Sequence, residues 1–215
     1  MGLALSFPGE LFGRTSHYES YAYVVLKQYS GWSIRRYAPA VAAEVTSGNS
    51  DDRSFMRLAK YIGVFSTPEN EARSMPNASE AIAMTTPVIS EPIAMTTPVV
   101  STKNMGSSSM RFVLPSKYTR ACDAPMPTDA AVRLVDIPAK TVAAIQFSGR
   151  CEGCDAAAEK YEELCELLKQ EGLTPSGTWE LHRFNPPYTL APFRTNEVLV
   201  PLAEQTLASA GIQSE

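Results

Sequence analysis

The chain has 215 residues, 44% of them hydrophobic and 20% charged, with a formal net charge of -4. This is enough for one large folded domain or two small ones, with a sizeable core. It excludes the global basic field that nucleic-acid binding rests on, and no apolar run reaches the roughly eighteen residues that mark a membrane-spanning helix. Four cysteines, Cys122, Cys151, Cys154 and Cys165, are too few to staple a domain of this size, which favours a reducing, cytoplasmic setting, with a plastid as the alternative.

Residues 1–20 read as a flexible lead-in. Gly2 followed by Ser6 fits the loose pattern for N-myristoylation, which would give a weak lipid anchor. Tyr23–Tyr29 reads as a strand, Ser30-Gly31 as a turn, and Trp32–Tyr37 as a second strand. In that strand Trp32, Ile34 and Arg36 share one face, and Ser33, Arg35 and Tyr37 the other. Pro39 breaks it and Val41–Thr46 follows. Ser50 is a good N-cap for a helix over Asp51–Ile62, with acidic residues in its first turn and Gly63 as its stop. Phe55, Leu58, Ala59 and Ile62 form the apolar stripe of that helix, and Arg53, Met56, Arg57 and Lys60 lie off it.

After a polar loop over 66–80 comes a heptapeptide written twice. Ile82-Ala83-Met84-Thr85-Thr86-Pro87-Val88 recurs as Ile93-Ala94-Met95-Thr96-Thr97-Pro98-Val99. Each copy is apolar and β-branched, and proline bars helix there, so the duplication predicts a hairpin. Met110–Leu114 is the next strand and 115–129 a loop. The second half repeats the plan: strands over Val132–Ile137 and Thr141–Phe147 around Pro138, a helix over Asp155–Gln170 closed by Gly172, then strands over Trp179–Phe184 and Asn196–Val200. Residues 203–215 form a tail.

Hairpins with one helix per half, without βαβ alternation, predict an α+β fold. The expected form is a pseudo-two-fold distorted β-barrel of two antiparallel sheets flanked by two main helices.

The order of several segments carries a resemblance. They are Trp32-Ser33-Ile34-Arg35-Arg36-Tyr37-Ala38-Pro39, Phe55 to Ile62, the paired heptapeptides, Arg111-Phe112-Val113-Leu114-Pro115, Ala144 to Arg150, Arg183-Phe184-Asn185-Pro186-Pro187-Tyr188, and Arg194-Thr195-Asn196-Glu197-Val198. Together, over residues 21–202, they resemble the SOUL haem-binding protein family. The resemblance implies a pseudo-two-fold barrel that binds haem and related porphyrins in an apolar groove beside the first helix. The expected role is that of a carrier or buffer and not of an enzyme, and the expected state is a monomer. Haem-degrading or haem-using chemistry and a non-haem scaffold role are the alternatives.

A porphyrin presents a flat apolar face and carboxylates. The first helix offers both complements, since Arg53, Met56, Arg57 and Lys60 recur at i, i+3, i+4 and i+7. Arg57 and Lys60 are the candidates for propionate pairing and Met56 for ring packing. Met84 stands at the methionine of the first heptapeptide, where a thioether could line the ring.

The chain has two histidines, His17 and His182. The Arg35-Arg36-Tyr37 strand lacks the histidine that the resemblance would place there. His182, Tyr188 or Tyr61 would have to serve if iron is ligated, and otherwise packing and propionates hold the ligand. Cys151-Glu152-Gly153-Cys154 lacks both a redox-fold context and a second pair for zinc. Catalytic motifs for nucleotide, metalloprotease or serine-hydrolase chemistry are not found, and no metal site is expected.

Overall fold

The structure is a computed structural model, and it describes residues 11–15, 18–47, 51–75, 77–92, 108–151, 155–186, 188–209 and 211–212. Thirteen strands are described: β1 (Glu19–Ser20), β2 (Tyr23–Gln28), β3 (Trp32–Tyr37), β4 (Ala40–Ser47), β5 (Asn70–Glu71), β6 (Thr85–Thr86), β7 (Val88–Pro92), β8 (Ser108–Val113), β9 (Met126–Pro127), β10 (Val132–Ile137), β11 (Lys140–Ser148), β12 (Glu180–Arg183) and β13 (Thr195–Pro201). The helices are α1 (Asp51–Ile62), α2 (Asp155–Gln170) and α3 (Glu204–Ser209). The chain is therefore of the α+β class, with antiparallel sheet throughout its main ladders.

Two compact units divide it. One comprises Met1–Ala38 and Ala139–Glu215, the other Pro39–Pro138. In the continuous unit the strands lie in the order β10-β4-β8-β7, with Val132 opposite Val45, Ala43 opposite Phe112 and Phe112 opposite Val88. Alternate residues of these strands (Val41, Ala43, Val45, Met110, Phe112 and Val132) meet Leu58, Ala59 and Ile62 of α1 in one core. The expected stripe of α1 is thus its inner face, with Phe55 partly buried and edge-on to Phe112 at 5.3 Å between centroids.

In the discontinuous unit the order is β12-β13-β11-β3-β2. One face of that sheet packs Trp32, Ile34, Ala143, Ile145, Leu181, Val198 and Val200 against Ala157, Leu164 and Leu168 of α2.

The repeat of element order is present: β3-β4-α1-β7-β8 is followed by β10-β11-α2-β12-β13. The pairing adds what that order does not reveal. β3 pairs with β11, and β10 pairs with β4. Each repeat gives its first strand to the sheet that holds the remainder of the other.

Pro39 and Pro138 stand at the two breaks, as their missing backbone donors require. Pro87 interrupts the extended run between β6 and β7. The second heptapeptide, with Met95, lies outside the described residues, as do Gly2, His17, Ser50 and Cys154. Two segments read as plain loops contribute a short ladder, with Asn70 opposite Pro127 and Glu71 opposite Met126. The C-terminal tail contains α3.

α1 stops where the sequence predicts. The Gly63 N–H donates to the Lys60 carbonyl at 3.1 Å and the Val64 N–H to the Ala59 carbonyl at 3.0 Å, a Schellman closure. Gly63 has φ +86°, and a Cβ there would stand 2.5 Å from Pro68 Cγ. Gly63→Ala is therefore expected to destabilise by about 1–3 kcal/mol, read as a lower urea midpoint. An unchanged midpoint would show that the Pro68 loop moves aside freely.

Candidate functional site

The outer face of α1 carries the polar and soft side chains that the sequence places together. Arg53 and Lys60 are exposed, Arg57 is half-buried, and Met56 between them is 43% exposed, a large fraction for a methionine packed onto a folded unit. The face is backed by fixed structure. Tyr61 turns inward, and its hydroxyl donates to the Pro125 carbonyl at 2.8 Å. The Asn70 side-chain amide donates to the Tyr61 carbonyl at 2.7 Å and to the Glu80 carbonyl at 2.9 Å, while its oxygen accepts the Glu80 N–H. The Glu69 N–H donates to the Lys60 carbonyl and the Thr128 N–H to the Glu69 carbonyl. The 69–71 and 125–129 segments are thereby held along α1.

Two carboxylates arrive with those segments. Asp129 Oδ1 lies 3.4 Å from a terminal nitrogen of Arg57, and Glu69 Oε1 lies 3.1 Å from Lys60 Nζ. Apolar side chains flank the same region of the unit: Met126 in β9, and Val64 and Phe65 just beyond the helix end, are all exposed. Exposed apolar side chains together with cations suit a flat ligand with acidic substituents. Glu69, Asp129 and Met126 were not singled out from the sequence. Each lies in a segment with loop composition, and only tertiary hydrogen bonds bring it to the helix.

The remaining candidate residues are not part of this helix face. Tyr61 is 1% exposed, so its ring belongs to the core beneath the face. Burial pushes its hydroxyl well above the ordinary tyrosine range, with the neighbouring Tyr118 adding to the effect, so it serves as a neutral donor. Met84 is half-buried and packs against the α1 core. Tyr188 belongs to the other unit and is 48% exposed.

His182, also in that other unit, is 0% exposed, so no ligand reaches it without opening of the sheet. Glu180, His182 and Glu197 lie on one face of the discontinuous unit's sheet with Arg35, Tyr37 and Lys140, and the opposite face carries the α2 core. His182 Nε2 is 3.0 Å from Glu180 Oε2, and Lys140 is ion-paired to the other Glu180 oxygen. Burial alone would raise the Glu180 carboxyl, but its bonds to His182 and Lys140 hold it at about 2. An ionised carboxylate accepts only, so His182 carries its proton on Nε2. His182 Nδ1 then remains as a buried acceptor with no hydrogen-bond partner among the described residues. Charging the ring would place an N–H there with nothing to receive it. Burial lowers the histidine below its ordinary value, against the pull of Glu180 and Glu197 and with repulsion from Lys140.

The sign of the pH dependence follows. The unfolded chain binds a proton at His182 near pH 6.5 and the native chain binds it less readily, so stability falls as pH drops below about 6.5, at up to about 1.4 kcal/mol per pH unit. The window from about 6.5 down to 4.5 lies above the ordinary titration of glutamate. His182→Gln, which keeps a donor for Glu180, is expected to flatten the stability profile there. Urea midpoints at pH 7.5 and 5.5 check this, and an equal loss in both proteins would refute it.

Among the described residues, no group of three or more His, Cys, Asp or Glu side chains is placed to hold a metal. No helix in the described residues is long and apolar enough to cross a membrane. Cys151 is buried.

Comparison with known proteins now bears on this geometry. No curated protein matches the chain. Among solved structures, the EcmrR C-terminal domain is similar with a TM-score of 0.54 at 12% identity, over 80% of this chain and 96% of that one. A conserved uncharacterised protein from Listeria innocua is similar with a TM-score of 0.53 at 12% identity, over 79% of this chain and 92% of that one. A hydrolase from Listeria innocua is similar with a TM-score of 0.53 at 12% identity, over 80% and 91% respectively. Identities this low speak to the fold alone. The family model described as SOUL heme-binding protein matches residues 18–201. With that match over most of its length, the chain belongs to the SOUL heme-binding protein family.

Proposed function

We propose that this protein binds haem or a related tetrapyrrole reversibly along the outer face of α1, as a cytoplasmic carrier or buffer and without catalysing a reaction on it. The observation that carries this reading is the exposed Met56 set among Arg53, Arg57 and Lys60 on one helix face, in a chain whose family is named for haem binding. Met56 supplies soft apolar contact for the macrocycle, with Met126 of the same unit also exposed, and Arg57 and Lys60 supply charge for its propionates.

The ligand is cargo here, and its hold rests on faces and carboxylates. His182 does not fit the role of an iron ligand, being enclosed and tied to Glu180. Tyr61 does not fit it either, its hydroxyl being committed to Pro125. Tyr188 is exposed and belongs to the discontinuous unit. Such a site treats haem and iron-free protoporphyrin alike and releases both. Titration of the purified protein with each, followed by absorbance and by tyrosine and tryptophan quenching, tests the reading. Saturable one-to-one binding of both, with similar affinity, is the expected result. Binding of haemin alone with a six-coordinate spectrum, or saturable binding of neither, would overturn it.

A further inference from the structure

The α1 cations are not waiting bare for a ligand. Arg57 and Lys60 each face a carboxylate of the protein, Asp129 at 3.4 Å and Glu69 at 3.1 Å. Asp129 is itself pinned, because its Oδ1 also accepts the Ala131 N–H at 2.9 Å. Glu69 sits on a backbone bonded to Lys60 on one side and Thr128 on the other. Both carboxylates therefore approach α1 from a fixed short ladder.

We propose that Asp129 and Glu69 act as internal stand-ins for the acidic groups of the ligand, so that a dicarboxylate tetrapyrrole binds by displacing them from Arg57 and Lys60. This deepens the reading above and rests on it. An incoming carboxylate meets a helix face that is close to neutral, so its net gain is the difference between two ion pairs, not the value of one. Asp129 and Glu69 thereby set selectivity. A ligand with a single acidic group regains one pair where a dicarboxylate regains both, and weak or fortuitous anions are kept out. The same exchange lowers affinity for the correct ligand and speeds its release, as a carrier requires. In the ligand-free protein the two pairs keep the long side chains extended along the helix face, so the cations stay near their working positions.

The test uses the full chain with Asp129→Asn, Glu69→Gln and the double replacement. Asparagine retains an oxygen for the Ala131 N–H, so the turn at 129 is kept, and Glu69 is a surface side chain whose loss leaves the backbone bonds in place. Each protein is titrated with protoporphyrin and with its dimethyl ester, which has no free carboxylate. Each replacement is expected to tighten protoporphyrin binding about two- to fivefold, the double more than either, with the ester unchanged. Unchanged or weakened protoporphyrin binding would overturn the proposal, because the carboxylates would then be bystanders or positioning groups. An equal gain for the ester would overturn it too, by showing a general loosening of the face. Absence of saturable porphyrin binding in the parent and in every variant would instead bring down the tetrapyrrole reading itself.

Discussion

Glu197→Ala is expected to lower stability by about 3–5 kcal/mol, seen as a fall of about 10 °C or more in the thermal midpoint. Arg35 and Glu197 form a two-pronged pair, with Arg35 terminal nitrogens 2.8 and 3.0 Å from the two carboxylate oxygens. The guanidinium Nε–H donates to Ser33 Oγ at 2.8 Å. Both side chains are buried, and the ring of Tyr23 lies 4.6 Å from the guanidinium carbon. Burial disfavours the Arg35 charge, but the Glu197 partner outweighs it and keeps the group protonated. Removing the carboxylate leaves an enclosed cation that has lost two of its acceptors, and that residual charge, more than the lost attraction, makes the effect large. Arg35→Met together with Glu197→Ala is therefore expected to recover much of the loss. A double variant as unstable as the sum of its parts would show that the two groups do not act as a pair.

Arg57→Glu with Lys60→Glu is expected to weaken binding of haemin and of protoporphyrin by about tenfold or more, while leaving the fold intact. The sign follows from charge. The face that now balances Arg57 and Lys60 against Asp129 and Glu69 would carry four carboxylates against the one cation of Arg53, and a propionate would meet net repulsion. Both positions point outward and contribute little to the core, so circular dichroism and the thermal midpoint should stay near the parent values. The dimethyl ester is the control, since its affinity should hardly change. Equal binding of protoporphyrin by parent and variant would place the ligand away from α1.

The framework of the fold was legible because local chemistry agrees with it. α1 spans Asp51–Ile62 as read, since the inner stripe, the acidic first turn and Gly63 all mark the same ends. β3 and α2 match for similar reasons. The exchange of β3 and β10 between the two repeats was not legible, because strand pairing is a long-range choice and nothing local in either strand names its partner. The buried polar face at His182 was missed for a related reason. Alternation in Glu180-Leu181-His182-Arg183 suggests one wet face, yet Glu180, Leu181 and His182 are all buried. The candidate site divides in the same way. Helical spacing is local and brought Arg53, Met56, Arg57 and Lys60 together. Tyr61 is one residue past Lys60 on the helix, and that single step takes it from the surface into the core. Asp129 and Glu69 come to α1 only through tertiary bonds.

The two proline breaks have a further consequence. Ala40 is the register partner of Ile137 within the continuous unit, and Tyr37 is the partner of Lys140 within the other. The chain thus enters Pro39–Pro138 and leaves it at adjacent ladder positions. In genetic terms the hundred or so residues that carry the helix face behave as an insertion. A short turn from Ala38 to Ala139 would rejoin the host polypeptide, and a second turn from Pro138 back to Pro39 would close the excised segment into a ring, so the order of the two units along the gene is one of several cyclic orders compatible with the same strand neighbours inside each.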